Sequence, residues 1–401
     1  MMAQVDFTSE AFFRDPAAGI ATLRARGPAV ATRFPIIGKV WVTTTYETTA
    51  RVLKDSTTFT LRRDGALAGL RWWMPKFVAT FANNMLTMDE PDHTRLRAIV
   101  DEAFRRRAVL DMEPRVRAIA DALAGALFAD GSPADLVERY ARMLPLSVIC
   151  ELLGLPPEDR RKFIAWANTT AHLTNAFGFL RMIRGLMRMR RYLEERLRLA
   201  RLHGGEGLIA ELVRVEQEGG RISASEMVSM VFLLLGAGTE TTTHLISGAV
   251  YELLKDPARR DWLAADWSRA GLAVEEFLRF VSPVQFSKPR FVRHDVELDG
   301  IRLRKGDRIM AMIAAANLDP AAHERAAELD LSRRPNRHIS FGTGIHFCLG
   351  HQLARIEAVC ALQALFTRWP GLRLAIEPGQ VRWRRRPGLR AIERLPVSAG
   401  A

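Results

Sequence analysis

A chain of 401 residues is longer than one hydrophobic core usually supports, so length alone favours two domains. No linker-like segment or internal repeat marks a boundary, and we therefore expect one large domain over residues 1–401. The net charge of +13 raises the question of nucleic acid. However, the basic residues are scattered along helical stretches without a nucleic-acid-binding motif, so we expect no such partner.

Three cysteines, Cys150, Cys348 and Cys360, are too widely spaced for a disulfide framework and fit a reducing cytoplasm. The longest apolar run, Val228–Gly238, falls well short of the roughly 20 residues that cross a bilayer. The sequence therefore predicts a soluble, cytoplasmic protein that has no membrane partner.

The predicted elements begin with short β-rich stretches, and helical periodicity then dominates from His93 to Phe280. Beyond it, apolar and polar residues alternate about the pair Asp299-Gly300, which predicts a hairpin with a type I′ turn. The pattern predicts a mainly α fold with small β-sheets. The strand candidates are Ala29–Phe34, Val40–Thr44, Val296–Leu303, Asp307–Ile313 and, with turns, Leu372–Pro396.

Two helical segments in the middle of the chain carry unusual residues. Phe179–Leu202 is basic and amphipathic; it could touch an anionic membrane, although a solvated basic face is commoner. The segment Gly236–Thr242 lies in a long apolar helix, where Gly238 costs about 1 kcal/mol relative to alanine. Thr241 can hydrogen-bond a ligand instead of its own helix, and Glu240 can relay protons. An ordinary buried helix explains Thr242 and Thr243 well but explains the Ala237-Gly238 pair and Glu240 poorly.

The segment Phe341–Gly350 presents Cys348 on a loop with three glycines, and helical periodicity follows from Leu349. Glycine permits positive φ angles and a close backbone approach to a flat ligand. A helix N-terminus favours a thiolate, and a thiolate is suited to be an axial ligand of haem iron. Two other interpretations are a small buried side chain and a zinc site with His346 and His351. Zinc is disfavoured because the sequence has no second block of ligands.

The loop pattern F-G-x-G-x-H-x-C-x-G resembles the haem-binding loop of the cytochrome P450 family, in its soluble bacterial form. The likeness extends from His93 to the C-terminal helix. Gly236–Thr242 is similar to the family's distal motif A-G-x-[D/E]-T, and Glu276–Arg279 to its E-x-x-R, with Arg333 as third partner. The resemblance implies a single mostly helical body that encloses haem b, iron protoporphyrin IX, with Cys348 as the metal ligand. The meander after the Asn-x-Asp-Pro segment is plainer here than in the family.

The resemblance also implies roles for individual residues. Thr241 and Glu240 are the expected catalytic residues, which hydrogen-bond dioxygen and deliver protons. The haem propionates need fixed cations. His93 and Arg97 lie four apart on one helix face, and Arg290 and His346 match further propionate positions. The expected cofactor-binding set is His93, Arg97, Ala237, Gly238, Arg290, Phe341, Gly342, Gly344, His346, Cys348 and Gly350.

The family positions of the substrate pocket hold mainly aromatic and aliphatic side chains, which favour a small apolar substrate. The same residues could be ordinary core. Arg62 or Arg71 could anchor a carboxylate. The expected substrate-contacting set is Trp73, Phe77, Phe81, Met85, Phe177, Leu234, Ala237, Val284 and Phe286.

The resemblance implies a monomeric monooxygenase that activates O₂ and hydroxylates an apolar small molecule. Its electrons are expected from NAD(P)H through a ferredoxin or flavodoxin type partner, with Arg105, Arg106, Arg107 and His351 as candidate contacts. A peroxide-driven peroxygenase is one alternative, although such enzymes usually lack the acid and alcohol pair. A non-catalytic haem-thiolate sensor or carrier is another, and it needs no proton relay.

Overall fold

The computed structural model describes residues 5–34, 37–63, 66–67, 84–103, 111–159, 162 and 176–400. The chain divides into two compact units, one made of Met1–Trp72, Met112–Arg142 and Thr241–Ala401, the other of Trp73–Asp111 and Met143–Glu240. No helix within the described ranges is both long enough and apolar enough to cross a membrane.

Helices make up most of the described chain, which confirms the mainly α prediction. In the larger unit α5 packs along α13, and α11 also contacts α13. In the smaller unit α7 packs on α8, which also contacts α4. The helices are α1 Glu10–Arg14, α2 Pro16–Arg24, α3 Tyr46–Lys54, α4 Asp92–Ala103, α5 Glu113–Ala126, α6 Met143–Leu153, α7 Ala176–His203, α8 Leu208–Gln217, α9 Ala224–Lys255, α10 Pro257–Ala264, α11 Ala270–Val281, α12 Ile313–Asn317 and α13 His351–Arg368.

The strands belong to the larger unit and form small sheets. The main sheet has the order β1-β2-β10-β7-β3, in which β10 runs parallel to β2 and the other pairs are antiparallel. A three-stranded sheet has the order β11-β12-β6. The strands are β1 Ala29–Phe34, β2 Gly38–Thr43, β3 Phe59–Thr60, β4 Arg62–Arg63, β5 Ala66–Leu67, β6 Ala134–Asp135, β7 Arg290–Val292, β8 Val296–Leu298, β9 Ile301–Leu303, β10 Arg308–Met310, β11 Arg373–Leu374 and β12 Pro396–Ser398.

The predicted hairpin forms between β8 and β9. Asp299 and Gly300 occupy its turn with φ angles of 49° and 83°, which are the positive values that a type I′ turn requires. Below it, Leu298 and Leu303 are fully buried in one core cluster with β3, β7 and β10. The alternating pattern about the Asp-Gly pair therefore predicted the hairpin and its turn correctly.

The long helix α9 begins with a reciprocal cap. The Ser223 hydroxyl accepts the Glu226 N–H at 3.2 Å, and the Glu226 carboxylate accepts the Ser223 N–H at 2.8 Å. Most side chains from Met227 to Leu235 and all from Thr242 to Val250 are buried or nearly so. The helix is therefore a central element of the fold over most of its length.

Glu276 and Arg279 on α11 form a fully buried ion pair, as predicted. Arg279 donates to both carboxylate oxygens of Glu276, at 2.7 and 2.8 Å, and Arg333 adds a third bond at 3.0 Å. The remaining Arg279 donors bond to the backbone carbonyls of Asn317, Ala326 and Glu328. This network holds the meander after α12 against α11, just before the cysteine loop.

A second buried guanidinium, that of Arg390, joins three distant parts of the chain. It donates to the carbonyls of Phe13 and Arg14 at the end of α1, at 2.8 and 2.9 Å. It also donates to the carbonyls of Phe280 and Val281 at the end of α11, at 3.0 and 3.4 Å. The side chain thus satisfies carbonyl groups that two helix ends leave without an intrahelical partner.

Candidate functional site

The cysteine loop is shaped by two glycines in the left-handed region. Gly342 and Gly344 have φ angles of 71° and 75°, values that residues with a Cβ atom rarely adopt. A Cβ on Gly344 would also stand 2.6 Å from the Leu53 carbonyl oxygen, whereas one on Gly342 would meet nothing closer than 3.9 Å. Gly344 is thus required by sterics as well as by conformation, because the end of α3 lies directly against it.

Cys348 is half-buried on this loop, and its N–H donates to the Phe341 carbonyl at 2.9 Å. The following helix, α13, starts at His351 with Gly350 as its N-cap. The expected start at Leu349 was therefore two residues early, because the turn at Cys348 is closed by the Phe341 carbonyl and not by the helix. None of the three cysteines forms a disulfide.

Phe341 is held in place by a polar network on α11 and α13. The Arg355 guanidinium lies 4.5 Å from the centre of the Phe341 ring. Glu275 accepts two hydrogen bonds from Arg355, at 2.6 and 2.9 Å, and faces the His338 ring at 3.1 Å. Burial alone raises the pKa of Glu275, but the bonds from Arg355 and His338 outweigh it and lower the pKa to about 2. His338 also accepts the Ser340 N–H through Nδ1, so its ring satisfies a nearby backbone donor.

On α9, the expected oxygen-binding residues form the one accessible stretch between the two buried parts of the helix. Ala237 is exposed, and Gly238, Glu240 and Thr241 are half-buried. A Cβ on Gly238 would stand 3.4 Å from Ile149, so the glycine sits close to a helix neighbour without a clash. An acid, an alcohol and two small residues are therefore presented together on one accessible stretch of the helix.

The expected propionate partners are distributed over both units. Arg290 on β7 is buried and donates to the Phe59 carbonyl at 3.2 Å, so it is not an exposed strand arginine. His93 on α4 is buried, and burial and the charge of Arg97 lower its pKa. Arg97 itself bonds to Asp101 at 2.8 Å. His346 is half-buried at the end of a 3₁₀ turn in the cysteine loop.

The donor set fits haem. Its chemistry includes a cysteine on a glycine-shaped loop, histidine and arginine side chains on three elements and small residues on α9, while no group of metal-binding side chains suited to another metal occurs in the described ranges. A zinc cluster around Cys348 is therefore not supported. The roles of the individual residues stay predictions.

The expected substrate residues are less uniform. Phe286 is buried in an aromatic cluster, 5.1 Å from the Phe34 ring and 5.2 Å from the Phe7 ring, so aromatic packing also accounts for it, and its place in the pocket stays a prediction. Val284 is half-buried against the core below the hairpin. Met85 and Leu234 are buried. Trp73, Phe77, Phe81 and Arg71 lie outside the described residues, as do Arg105, Arg106 and Arg107, and for Phe177 only the helical backbone is described.

One buried residue on α9 was not singled out by the sequence. His244 on α9 is buried, with no hydrogen bond to either ring nitrogen from any described residue. Its signal in the sequence was its position, four residues after Glu240 on the same helix face.

Comparison with known proteins identifies the family of the chain. A sequence model of the family described as Cytochrome P450 matches residues 272–370. Vitamin D(3) 25-hydroxylase of Pseudonocardia autotrophica is 38% identical over 403 residues, covering 99% of this chain and 97% of that protein. The solved structure of the cytochrome P450 PksS of Bacillus subtilis 168 superimposes with a TM-score of 0.90 at 33% identity, covering 99% of this chain and 100% of that one. A myxobacterial cytochrome P450 in complex with myristic acid gives a TM-score of 0.88 at 35% identity, covering 98% of each chain.

The fold and the cysteine loop thus define a haem-thiolate enzyme. The chain belongs to the cytochrome P450 family, and it is a monooxygenase of the bacterial type whose cofactor is haem b. The expected family, fold class, enzyme class and cofactor are therefore confirmed.

Proposed function

We propose that the protein hydroxylates a small apolar molecule with O₂, using electrons from NAD(P)H that arrive through a ferredoxin or flavodoxin type protein. The observation that carries the proposal is on α9. There Glu240 and Thr241 stand beside Gly238 on the accessible stretch of an otherwise buried helix. A sensor or a carrier does not need an acid and an alcohol at this position, and a peroxygenase usually lacks them.

Cys348 is the residue we assign to the iron, and Gly342 and Gly344 give its loop the shape to approach a flat ring. When bound, haem supplies the iron centre at which dioxygen is activated. The hydrogen-bond donors we assign to its propionates are His93, Arg97, Arg290 and His346.

The residues of α9 then have separate tasks. The Thr241 hydroxyl both accepts and donates a hydrogen bond, so it can hold a proton between solvent and the reacting oxygen. The Glu240 carboxylate, one residue earlier, passes protons to that hydroxyl. Gly238 and Ala237 leave room for a diatomic molecule, and the buried helix flanks exclude bulk water.

Apolar side chains at Met85 and Leu234 support an apolar substrate. So do two relatives, one named for 25-hydroxylation of vitamin D(3) and one solved with myristic acid. On the cysteine side, His351 and Arg355 bond to each other at 2.9 Å and are half-buried, and we propose that they belong to the surface where an acidic electron donor docks.

The proposal is tested by changing Thr241→Val and Glu240→Gln and measuring product formation with NADPH, a ferredoxin reductase and a ferredoxin. Loss of a positioned proton donor is expected to lower kcat by about 10²- to 10⁴-fold. Thr242→Val, at a buried hydroxyl next on the same helix, is the matched control and should change kcat little.

Cys348→Ser should in addition abolish the red-shifted Soret band that the reduced, carbon-monoxide-treated protein shows with sulfur ligation. Equal turnover with hydrogen peroxide alone would instead identify a peroxygenase. Absence of any product from a panel of terpenes, steroids, fatty acids and aromatic acids would favour the sensor or carrier.

A further inference from the structure

A half-buried ion pair lies beside the start of α13, next to the cysteine loop. Its cation is Arg355, whose guanidinium donates to the His351 ring at 2.9 Å and to the His351 carbonyl at 3.2 Å. His351 is the first residue of α13 and follows Cys348 by three residues. The long side chain therefore points back along the helix towards its N-terminus and brings its charge to the end of the loop.

The same guanidinium covers Phe341, on the other side of Cys348 in the sequence. It lies 4.5 Å from the centre of the Phe341 ring. The Phe341 carbonyl in turn accepts the Cys348 N–H at 2.9 Å. Arg355 thus contacts residues before and after the cysteine, and a positive charge stands beside the segment that carries the sulfur.

The anion of the pair is Glu275 on α11. It accepts two hydrogen bonds from Arg355, at 2.6 and 2.9 Å, and lies 3.1 Å from Nε2 of His338. Because the Ser340 N–H donates to Nδ1 of His338, the ring hydrogen belongs on Nε2, and the ring donates to Glu275. His338 adds no charge in this arrangement. Arg355 and Glu275 are therefore the two charges of the network, and the cation is the one that contacts the loop within the described residues.

Partial burial lets both charges act on the loop. Burial raises the pKa of Glu275, but its hydrogen bonds lower it to about 2, so the carboxylate is ionised at neutral pH. The two side chains are 33% and 28% exposed, so solvent weakens their field without removing it. Reduction of haem adds one electron, and a positive charge nearby favours the reduced state. A negative charge opposes it.

We propose that Arg355 and Glu275 adjust the reduction potential of the haem from the cysteine side. Arg355 raises the potential, and Glu275 limits the increase. Neither is a catalytic residue, because both act through the loop and not on substrate. The inference rests on the assignment of Cys348 to the iron, which belongs to the proposed function. It concerns how readily the first electron is accepted.

Redox titration of the haem-loaded protein, followed by its absorption spectrum without oxygen, substrate or electron donor, tests this proposal. Arg355→Met removes the cation and keeps the length of the side chain, and Glu275→Gln removes the anion and keeps its shape. At a fixed potential, Arg355→Met is expected to lower the ferrous-to-ferric ratio and Glu275→Gln to raise it. Each change should be about three- to tenfold, or about 30 to 60 mV at about 59 mV per tenfold. The double variant should return close to the parent.

The matched control is Arg368→Met at the far end of α13. Arg368 is exposed and lies 4.4 Å from the centre of the Trp369 ring, so it makes the same kind of contact away from the loop. Its loss should leave the potential unchanged. If the ion pair only supported the loop, both single variants would shift the potential in the same direction, because either substitution breaks the same hydrogen bonds.

Shifts in the same direction, or shifts no larger than that of Arg368→Met, would overturn the proposal. Should Arg355→Met not retain haem, two other variants decide. Arg355→Lys keeps the charge and should titrate close to the parent, whereas Glu275→Gln should still raise the ferrous-to-ferric ratio. An unchanged ratio in Glu275→Gln would then contradict the assigned role.

The titration is independent of turnover and of donor docking. Opposite shifts in a protein that forms no product would contradict the proposed function and keep the inference. Product formation by a protein whose potential ignores both substitutions would do the reverse. If Cys348→Ser kept the red-shifted Soret band, the assignment of Cys348 would be wrong, and the inference with it.

Discussion

Single residues at the site differ in how far they could be read from the sequence. The two loop glycines were predictable because a positive φ angle is a local requirement, and both have it. Phe286 was not predictable in the same way. An aromatic residue after α11 fits a pocket wall or a core equally well, and its packing against Phe7 and Phe34 is compatible with both.

His244 gives a prediction on pH. Burial and three guanidinium groups lower its pKa from the ordinary 6.5 to about 3, so it stays neutral in the folded protein where the unfolded chain takes up a proton. Its contribution to stability is therefore complete above about pH 6.5 and is lost as the pH falls towards 3, at about 1.4 kcal/mol per pH unit. His244→Leu should reduce the difference in unfolding free energy between pH 7.5 and pH 5 by roughly 2 kcal/mol.

Urea unfolding at both pH values measures this difference. His203→Leu, at an exposed position on α7, is the control and should follow the parent protein. The pKa of His323 is lowered to about 4 mainly by burial, so His323 also makes the unfolding free energy fall as the pH falls, and it does so equally in all variants. An unchanged pH dependence in His244→Leu would show that this imidazole is not desolvated in solution.

At the scale of elements, the buried ion pair on α11 shows why one departure from the family pattern is harmless. The plain segment Ala321–Glu328 has few of the expected side chains, yet it supplies the Ala326 and Glu328 carbonyls to Arg279. It also supplies the Glu324 and Arg325 carbonyls to Arg333. Because the contacts are made by the main chain, the side chains there are free to vary.

Burial of this network predicts that two ion pairs with the same i,i+3 spacing contribute very differently to the free energy of unfolding. Arg279→Met leaves the Glu276 carboxylate buried without its main partner and should lower the unfolding free energy by about 3–5 kcal/mol. Arg198→Met breaks an equally spaced pair with Glu195 that is about half exposed, and should leave the unfolding free energy nearly unchanged. Denaturant unfolding of the two variants compares them, and similar losses would contradict the assigned role of burial.

The start of α13 shows what the periodicity of side chains cannot predict about an element. The apolar spacing runs back to Leu349, but the last turn before the helix is closed by the bond from Cys348 to the Phe341 carbonyl. A pattern of side chains does not reveal which carbonyl a given N–H selects. The strands of the hairpin were easier, because the Asp-Gly pair fixes the turn and the turn fixes the register.

At the scale of the whole molecule, the mainly α class followed from helical periodicity, and the enclosing fold was implied by the family resemblance that three motifs carry. The division into two compact units could not be predicted in this way, because one of its four boundaries falls inside the continuous helix α9, where the sequence shows no change of composition. The single-domain expectation therefore stays a prediction.

The net charge of +13 gives a prediction for the electron donor. If an acidic ferredoxin docks through attraction, the rate of first-electron transfer at low donor concentration should fall steeply between about 10 mM and 150 mM salt, as the screening length shortens from about 30 Å to about 8 Å. Stopped-flow reduction under carbon monoxide measures it. A rate independent of salt would contradict electrostatic steering of the donor. If steering is found, changing Arg105, Arg106 and Arg107 to glutamate tests whether these residues cause it.

Arg390 also determines how much of the amino terminus the protein can lose. Its guanidinium reaches the Phe13 and Arg14 carbonyls, which lie far from it in sequence. Trimming up to the start of α1 keeps both acceptors. A cut after Arg14 removes them and leaves the Arg390 guanidinium in the interior without two of its acceptors. Limited proteolysis there should therefore free the end of α11 and weaken the retention of haem.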